Sequence, residues 1–301
     1  MTVKKRIAAI LLIMTTWLQI SCSSDNQHPT SQIITSSWIG YSPIYYAKEM
    51  GWLDELNIEL SSVISLGEAT VSFQSGYFDM ITGTQFEYHR IEKNGQLITP
   101  VMLLDRSNGG DVIMSNRSLE ALKSEQGDIQ VYLEMNSVNF FMLNDFIAEQ
   151  QLQDKSLKLS HSNHLKTLNT LQNQPPEQPT IVVTYSPYDE SLAKIDFEIL
   201  ASTATSDSIL VVDALFVRND FLKQHPKTVS ALKVKIQQAI LALEEDTQNY
   251  YKKVRPYLGE MTYPEFIAGL KRVEWIHQNT QPELLQKLEK YNFDTSQLTQ
   301  P

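Results

Sequence analysis

Trp38, Tyr41 and Tyr185 offer flat aromatic faces, Asp105 and Asp111 offer carboxylates, and Thr82, Thr84, Gln85, Asn136 and Ser137 offer neutral hydrogen bonds. Side chains of these kinds hold a small molecule without reacting with it. Rings stack on it, carboxylates pair with an amine or amidine, and hydroxyls and amides fix its orientation. Gly40, between Trp38 and Tyr41, leaves room for close approach of backbone. Each position also has a reading that serves the fold alone: Trp38 as core, Ser137 as a helix cap, Tyr185 as a packed ring at a helix start, Asp111 as a turn cap. Free N–H groups after Asn136-Ser137 would suit an anion, but the preceding Glu134 would oppose one.

Covalent and metal chemistry has little to stand on. There is no GxGxxG, Walker loop, HExxH or GxSxG. His161 and His164 are the only close histidines, in the polar stretch His-Ser-Asn-His, and read as a solvated helix face rather than a metal site. Cys22 is the only cysteine, which removes intrachain disulfides, zinc knuckles and iron–sulfur clusters. No carboxylate pair stands out as a general acid and base. The expectation is a protein that is not an enzyme and carries no cofactor.

The elements that must position these residues alternate as short apolar strands and amphipathic helices, the pattern of a layered α/β protein. Strands are expected over 32–35, 57–64, 78–82, 97–104, 112–114, 129–133, 181–183 and, as one long strand or a pair, 209–217. Ser42-Pro43 reads as an N-cap and first helical residue, with Gly51 closing that helix. Ser118 and Ser137 read as further caps, and a weaker strand–helix unit covers 156–172. Val229, Leu232, Ile236, Ile240 and Leu243 share one helix face; Phe266, Leu270, Val273 and Ile276 repeat that spacing behind Pro264, and 284–288 gives a last helix. Strand ends matter most, because ligands of open α/β sheets sit beyond the carboxyl ends of the strands.

The chain has 301 residues, 42% of them hydrophobic and 20% charged, enough to build one large domain or two lobes. With 25 basic and 35 acidic residues its net charge of −10 disfavours nucleic acid. Lys4, Lys5 and Arg6 precede the apolar run 7–20, which is too short to span a bilayer and matches the core of a secretory signal. The step Ile20-Ser21-Cys22-Ser23 resembles a bacterial lipoprotein signal in which Cys22 is lipidated, although Gln19 replaces the usual aliphatic residue. A plain signal peptide with an unrelated cysteine is the alternative. Cleavage before Cys22 leaves 22 basic residues against 35 acidic ones, a net charge of −13. Ser23 after the cysteine leans, in the lipoprotein analogy, towards the outer membrane.

Residues 38–52, WIGYSPIYYAKEMGW, resemble the opening of the periplasmic substrate-binding proteins of ABC importers for sulfonates, taurine, nitrate and thiamine-precursor pyrimidines. Further resemblances follow in the family's order. Gly67-Glu68-Ala69 leads to QSGYFDM at 74–80, DRSNGGD follows at 105–111, and FVRNDF at 216–221 precedes His225-Pro226. The resemblance covers about 32–245. It departs in the middle third, at 122–129 and at the proline-rich loop 174–179.

What the resemblance implies is a type II clamshell of two lobes, each a mixed sheet flanked by helices, closing on ligand by hinge bending. The expected division is a signal peptide at 1–21, a tether at 22–31, lobe 1 at 32–111 plus 206–301, and lobe 2 at 112–205. The ligand-binding set would be Trp38, Gly40, Tyr41, Thr82, Thr84, Gln85, Asp105, Asp111, Asn136, Ser137 and Tyr185. Aromatic rings and acids with few bases nearby favour a zwitterionic or aromatic nitrogenous ligand over nitrate or a bare sulfonate. The implied role is an exported, lipid-anchored periplasmic protein that hands its ligand to an ABC permease and touches the membrane only through its anchor. A ligand-sensing subunit of a membrane signalling protein is the second reading. The export signal argues against a biosynthetic enzyme of the pyrimidine-related branch.

Overall fold

The computed structural model describes residues 30–206, 209–259, 261–276 and 282–298. The signal-like run and Cys22 lie outside the described residues. From Ser31 onward the chain forms one compact unit containing two mixed sheets flanked by helices, a two-lobed α/β arrangement.

The first lobe opens with β1 (Ser31–Ser36), α1 (Ser42–Glu49), α2 (Trp52–Glu55), β2 (Ile58–Val63), α3 (Leu66–Phe73), β3 (Met80–Thr84), α4 (Gln85–Lys93) and β4 (Ile98–Ser107). The chain crosses at 108–110 and builds the second lobe from β5 (Asp111–Ser115), α5 (Leu119–Ser124), β6 (Asp128–Leu133), α6 (Val138–Gln150), β7 (Ser156–His161), α7 (His164–Asn173), β8 (Thr180–Tyr185), α8 (Tyr188–Ala193) and β9 (Glu198–Ser202). It returns through β10 (Val212–Arg218) to α9 (Asn219–Gln224), α10 (Pro226–Glu245), α11 (Thr247–Val254), α12 (Tyr263–Leu270), β11 (Val273–Trp275) and α13 (Pro282–Lys290). Asp111 therefore begins the second sheet.

The first sheet runs β11-β4-β10-β3-β1-β2 and the second β7-β6-β8-β5-β9. In the first, β1 pairs in parallel with β2 and β3, while β10 runs antiparallel between β3 and β4. In the second, β6 is parallel to β7 and β8, and β5 is antiparallel to β8 and β9. Strands β1 and β8 are buried along their length and are built mostly of apolar residues, serine and threonine, as strands covered on both faces favour. Edge strand β2 instead alternates, burying Ile58 and Leu60 and exposing Glu59.

Helix α10 buries the face expected from its spacing, Val229, Leu232, Ile236, Ile240 and Leu243. Gly51, at φ 73°, terminates α1 as only a residue tolerant of left-handed backbone readily does. Two local expectations fail. Ser42 is the first helical residue rather than the cap; Tyr41 precedes the helix with no side-chain cap, and the Ser42 hydroxyl accepts from Tyr250 at 3.1 Å. Val273 and Ile276 leave the helical face of Phe266 and Leu270, because α12 stops at Leu270 and Val273–Trp275 pairs with β4 at the sheet edge. The three-residue spacing there was coincidental, and the strand is too short to show alternation.

Candidate functional site

Both sheets point strand ends at the same enclosed space. From the first lobe, β1 ends at Ser36 and β3 at Thr84. From the second, β8 ends at Tyr185, paired across the ladder with Asp111 at the start of β5, and β6 delivers Glu134. Between them lies a narrow cavity of about 20 Å³, room for about one water while the lobes are this close. Of the expected ligand residues, Trp38, Thr84, Asp111, Ser137 and Tyr185 line it, together with Ser36, Glu134, Asn139, His164 and Asp213. Leu66, Val138 and Val211 add apolar wall.

Trp38 meets Tyr185 of the other lobe edge to face, with ring centroids 5.6 Å apart, so it is both packed between the lobes and part of the cavity wall. Its indole N–H donates to Oδ1 of Asp105 at 3.3 Å. Two glycines make that seat possible. A Cβ on Gly40 would collide with Asp105 and with the Trp38 indole, and one on Gly110 would stand 2.6 Å from Cη2 of Trp38. Gly40 thus gives way to the protein's own side chains.

One rung crosses the first sheet through Trp275, Asp105, Asp213 and Thr84, on β11, β4, β10 and β3. Asp105 and Asp213 are neighbours on it, and both are buried. Burial pushes the Asp105 carboxyl up to about 7, and nearby Asp111 adds to the rise. Asp213 is raised well above its ordinary value, by burial first and by the charge of Asp105 second. The Tyr41 hydroxyl donates to Asp213, while Oδ2 of Asp105 has no donor. A proton shared by the two acids would satisfy that oxygen. Asp111 is raised to about 6 by burial, against a hydrogen bond with Ser107.

Two more buried acids join the lobes. Glu87 accepts the Thr84 N–H at 3.0 Å within its own helix cap and the Val138 N–H of α6, also at 3.0 Å. The helix N-terminus that would suit a ligand anion is therefore occupied by a protein carboxylate, which burial raises to about 7. In the opposite direction, Glu134 accepts from the Ser65 hydroxyl and the Gly67 N–H at the start of α3, and burial raises its pKa. A Cβ on Gly67 would lie 2.8 Å from Oε1 of Glu134.

The remaining expected residues sit elsewhere. Thr82 is inside the sheet, its hydroxyl 2.7 Å from that of Thr35. Gln85 braces the returning chain, donating to the Leu210 carbonyl and accepting from the Val212 N–H. Tyr41 and Asp105 stand behind the cavity wall, and Asn136 lines an open groove of about 380 Å³ beyond Glu134. Ser137 caps α6, accepting from the Asn139 N–H.

His164 corrects the sequence reading. It is buried rather than solvated, with Nδ1 3.1 Å from the Thr184 hydroxyl and its ring against Tyr185 and Tyr188. Burial depresses its pKa to about 3, so it is neutral. Among the described residues no group of three or more His, Cys, Asp or Glu is arranged to hold a metal ion. Asp213 and Glu87 were missed. An aspartate inside the apolar run 209–217 was the available signal for the first; the second needed helix α4, which was not foreseen.

No protein-family model and no curated protein matches the chain. Solved structures do. The alkanesulfonate-binding protein SsuA of Xanthomonas axonopodis pv. citri, bound to MOPS, aligns with a TM-score of 0.70 at 12% identity, over 87% of this chain and 90% of that one. The ligand-binding component of an ABC-type import system from Staphylococcus aureus gives 0.68 at 12% identity over the same shares. The Candida albicans CA3427 gene product, described as having the generic periplasmic binding protein fold, gives 0.63 at 13% identity, over 88% and 96%. The two sheets, the cavity at their strand ends and these likenesses agree: this chain has the periplasmic-binding-protein fold, shared with proteins of the family its motifs resemble.

Proposed function

We propose that the protein is a solute-binding protein, not an enzyme, which encloses one small organic molecule between its lobes and presents it to an ABC permease. The observation that carries this is the cavity at converging strand ends, walled by Trp38 from one lobe and Tyr185 from the other. The working lobes follow the two sheets, with Asp111 already in the second, and hinge at the crossing 108–110 and where the chain returns to β10. Export to the periplasm and a lipid on Cys22 complete the reading and rest on the N-terminal motif alone. Rings and acids around the cavity support a nitrogenous ligand.

Thermal unfolding of the full-length protein in detergent tests this against amines, amino acids, pyrimidines, vitamins and sulfonates. A ligand at one hundred times its Kd stabilises by about 2.7 kcal/mol, a visible shift. Photo-crosslinking in membranes then identifies the partner. A permease supports the proposal; a receptor kinase or cyclase would replace transport with sensing.

A further inference from the structure

The cavity's polar lining is lopsided in sign. Asp111, Glu134 and Asp213 contribute carboxylates to the wall, and Asp105 and Glu87 stand directly behind it, whereas no lysine or arginine lines it among the described residues. His164 supplies no charge. The Arg272 guanidinium is bonded to Asp189. Removing carboxylates from water without a cation is costly, and proteins that do so either keep the groups protonated or supply the missing charge.

Two further observations point to a ligand that supplies it. Ser36 Oγ and Asn139 Oδ1 are buried in the cavity wall and have no hydrogen-bond partner; Asn139 Oδ1 can only accept, so it calls for an incoming donor. The place an anionic group would occupy, the N-terminus of α6, is filled by Glu87. A sulfonate or nitrate would meet acids and no base, and the anionic half of a zwitterion would fare no better. Trp38 and Tyr185 offer ring surface that attracts a cation more strongly as water is excluded.

We infer that this site, as the lobes part, binds a small organic cation, an amine, amidine or quaternary ammonium, held by Asp111, Glu134 and Asp213 against the rings of Trp38 and Tyr185. This rests on the solute-binding reading and names its ligand class. Binding fixes the acids in their ionised form, so the complex sheds protons near neutral pH. The charges facing them are themselves mostly acidic: Asp189 near Asp111; Asp105, Asp111 and Glu87 near Asp213; and Glu68 near Glu134, where His161 acts in the opposite sense and Lys166 lines the same groove.

The test uses the full-length protein in detergent with methylamine, putrescine, choline and benzamidine as cations, methanesulfonate and nitrate as anions, and taurine as the zwitterion. At least one cation should raise the melting temperature by about 4 °C or more, and the anions should not. Titration calorimetry of that cation at pH 6.5 in two buffers of different ionisation enthalpy should report proton release, with affinity rising at least tenfold from pH 5.5 to 7.5. Asp111→Asn and Glu134→Gln should each weaken the cation tenfold or more while the apo protein stays folded. Binding of anions alone would overturn this inference and leave a solute-binding protein standing. Silence across all seven probes would overturn this inference, and the broader panel above then decides the solute-binding reading. Cation binding without proton release, unchanged in both variants, would overturn the proposed site.

Discussion

Glu87, from the first lobe, accepts the backbone N–H of Val138 at the first turn of a helix in the second lobe, 3.0 Å away. Glu134 returns the arrangement, reaching from the second lobe to Ser65 and Gly67 at the start of a first-lobe helix. Two carboxylates thus sit on two helix N-termini across one interface, each favoured by the partial positive charge there. The pair forms a reciprocal clasp between the lobes.

Weakening the clasp should open the molecule. Glu87→Gln keeps the size of the side chain but turns a charge-assisted bond into a neutral one. The expected result is a larger radius of gyration by solution scattering in the ligand-free protein. Global stability by urea unfolding should change little, because removing a buried charge offsets the weaker bond. An unchanged scattering profile would mean that other contacts, such as Arg272 with Asp189, hold the lobes together.

Acid should stabilise the empty protein. Asp105 and Glu87 are raised to about 7 and Asp111 to about 6, and Asp213 and Glu134 are also raised. Between about pH 4 and 7 the folded state therefore holds protons that the unfolded chain has released, and stability falls as pH rises through that window. His164, depressed to about 3, acts with the opposite sign between about pH 3 and 6.5, but it is one group against five. The melting temperature should be about 5 °C or more higher at pH 5 than at pH 7.5, and Asp111→Asn should flatten the slope. A melting temperature that climbs with pH over this range would mean the acids are already compensated.

Trp38 should matter to the apo fold as well as to binding. Truncation to alanine empties a buried site and removes the donor to Asp105, at a cost of about 3–5 kcal/mol. Trp38→Phe keeps most of the packing and should lose about half as much. Gly40→Ala should destabilise by about 1–3 kcal/mol or more, since its methyl group would meet the Asp105 carboxylate. Urea unfolding of the three variants gives the order; a fully stable Gly40→Ala would show that Asp105 can move aside.

Cys22→Ser should release the protein from membranes. Fractionation of cells expressing wild type and variant, with mass spectrometry of the mature N-terminus, checks this. Retention of the variant in the membrane fraction would point to a different anchor.

The α/β alternation was legible because central strands such as Ile181-Val182-Val183 are uniformly apolar and because Ser118 and Ser137 announce their helices. Trp38, Thr84, Asp111, Ser137 and Tyr185 could be placed together from sequence because strand ends can be read locally, and they line the cavity. His164 was misread for the converse reason: its sequence neighbours Ser162 and Asn163 are polar, while the rings that bury it, Tyr185 and Tyr188, are more than twenty residues away. Asp105 and Asp213 lie more than one hundred residues apart and meet only through strand register. Such a coincidence of acids has no local signature.

Glu134 forms part of the wall of the enclosed cavity and part of the open groove outside it. A molecule moving directly between these spaces would have to part Glu134 from Ser65 and Gly67. Because the Ser65 bond also favours ionised Glu134, Ser65→Ala should both quicken exchange and weaken the hold, so one hydroxyl outside the cavity lining sets holding time and affinity together.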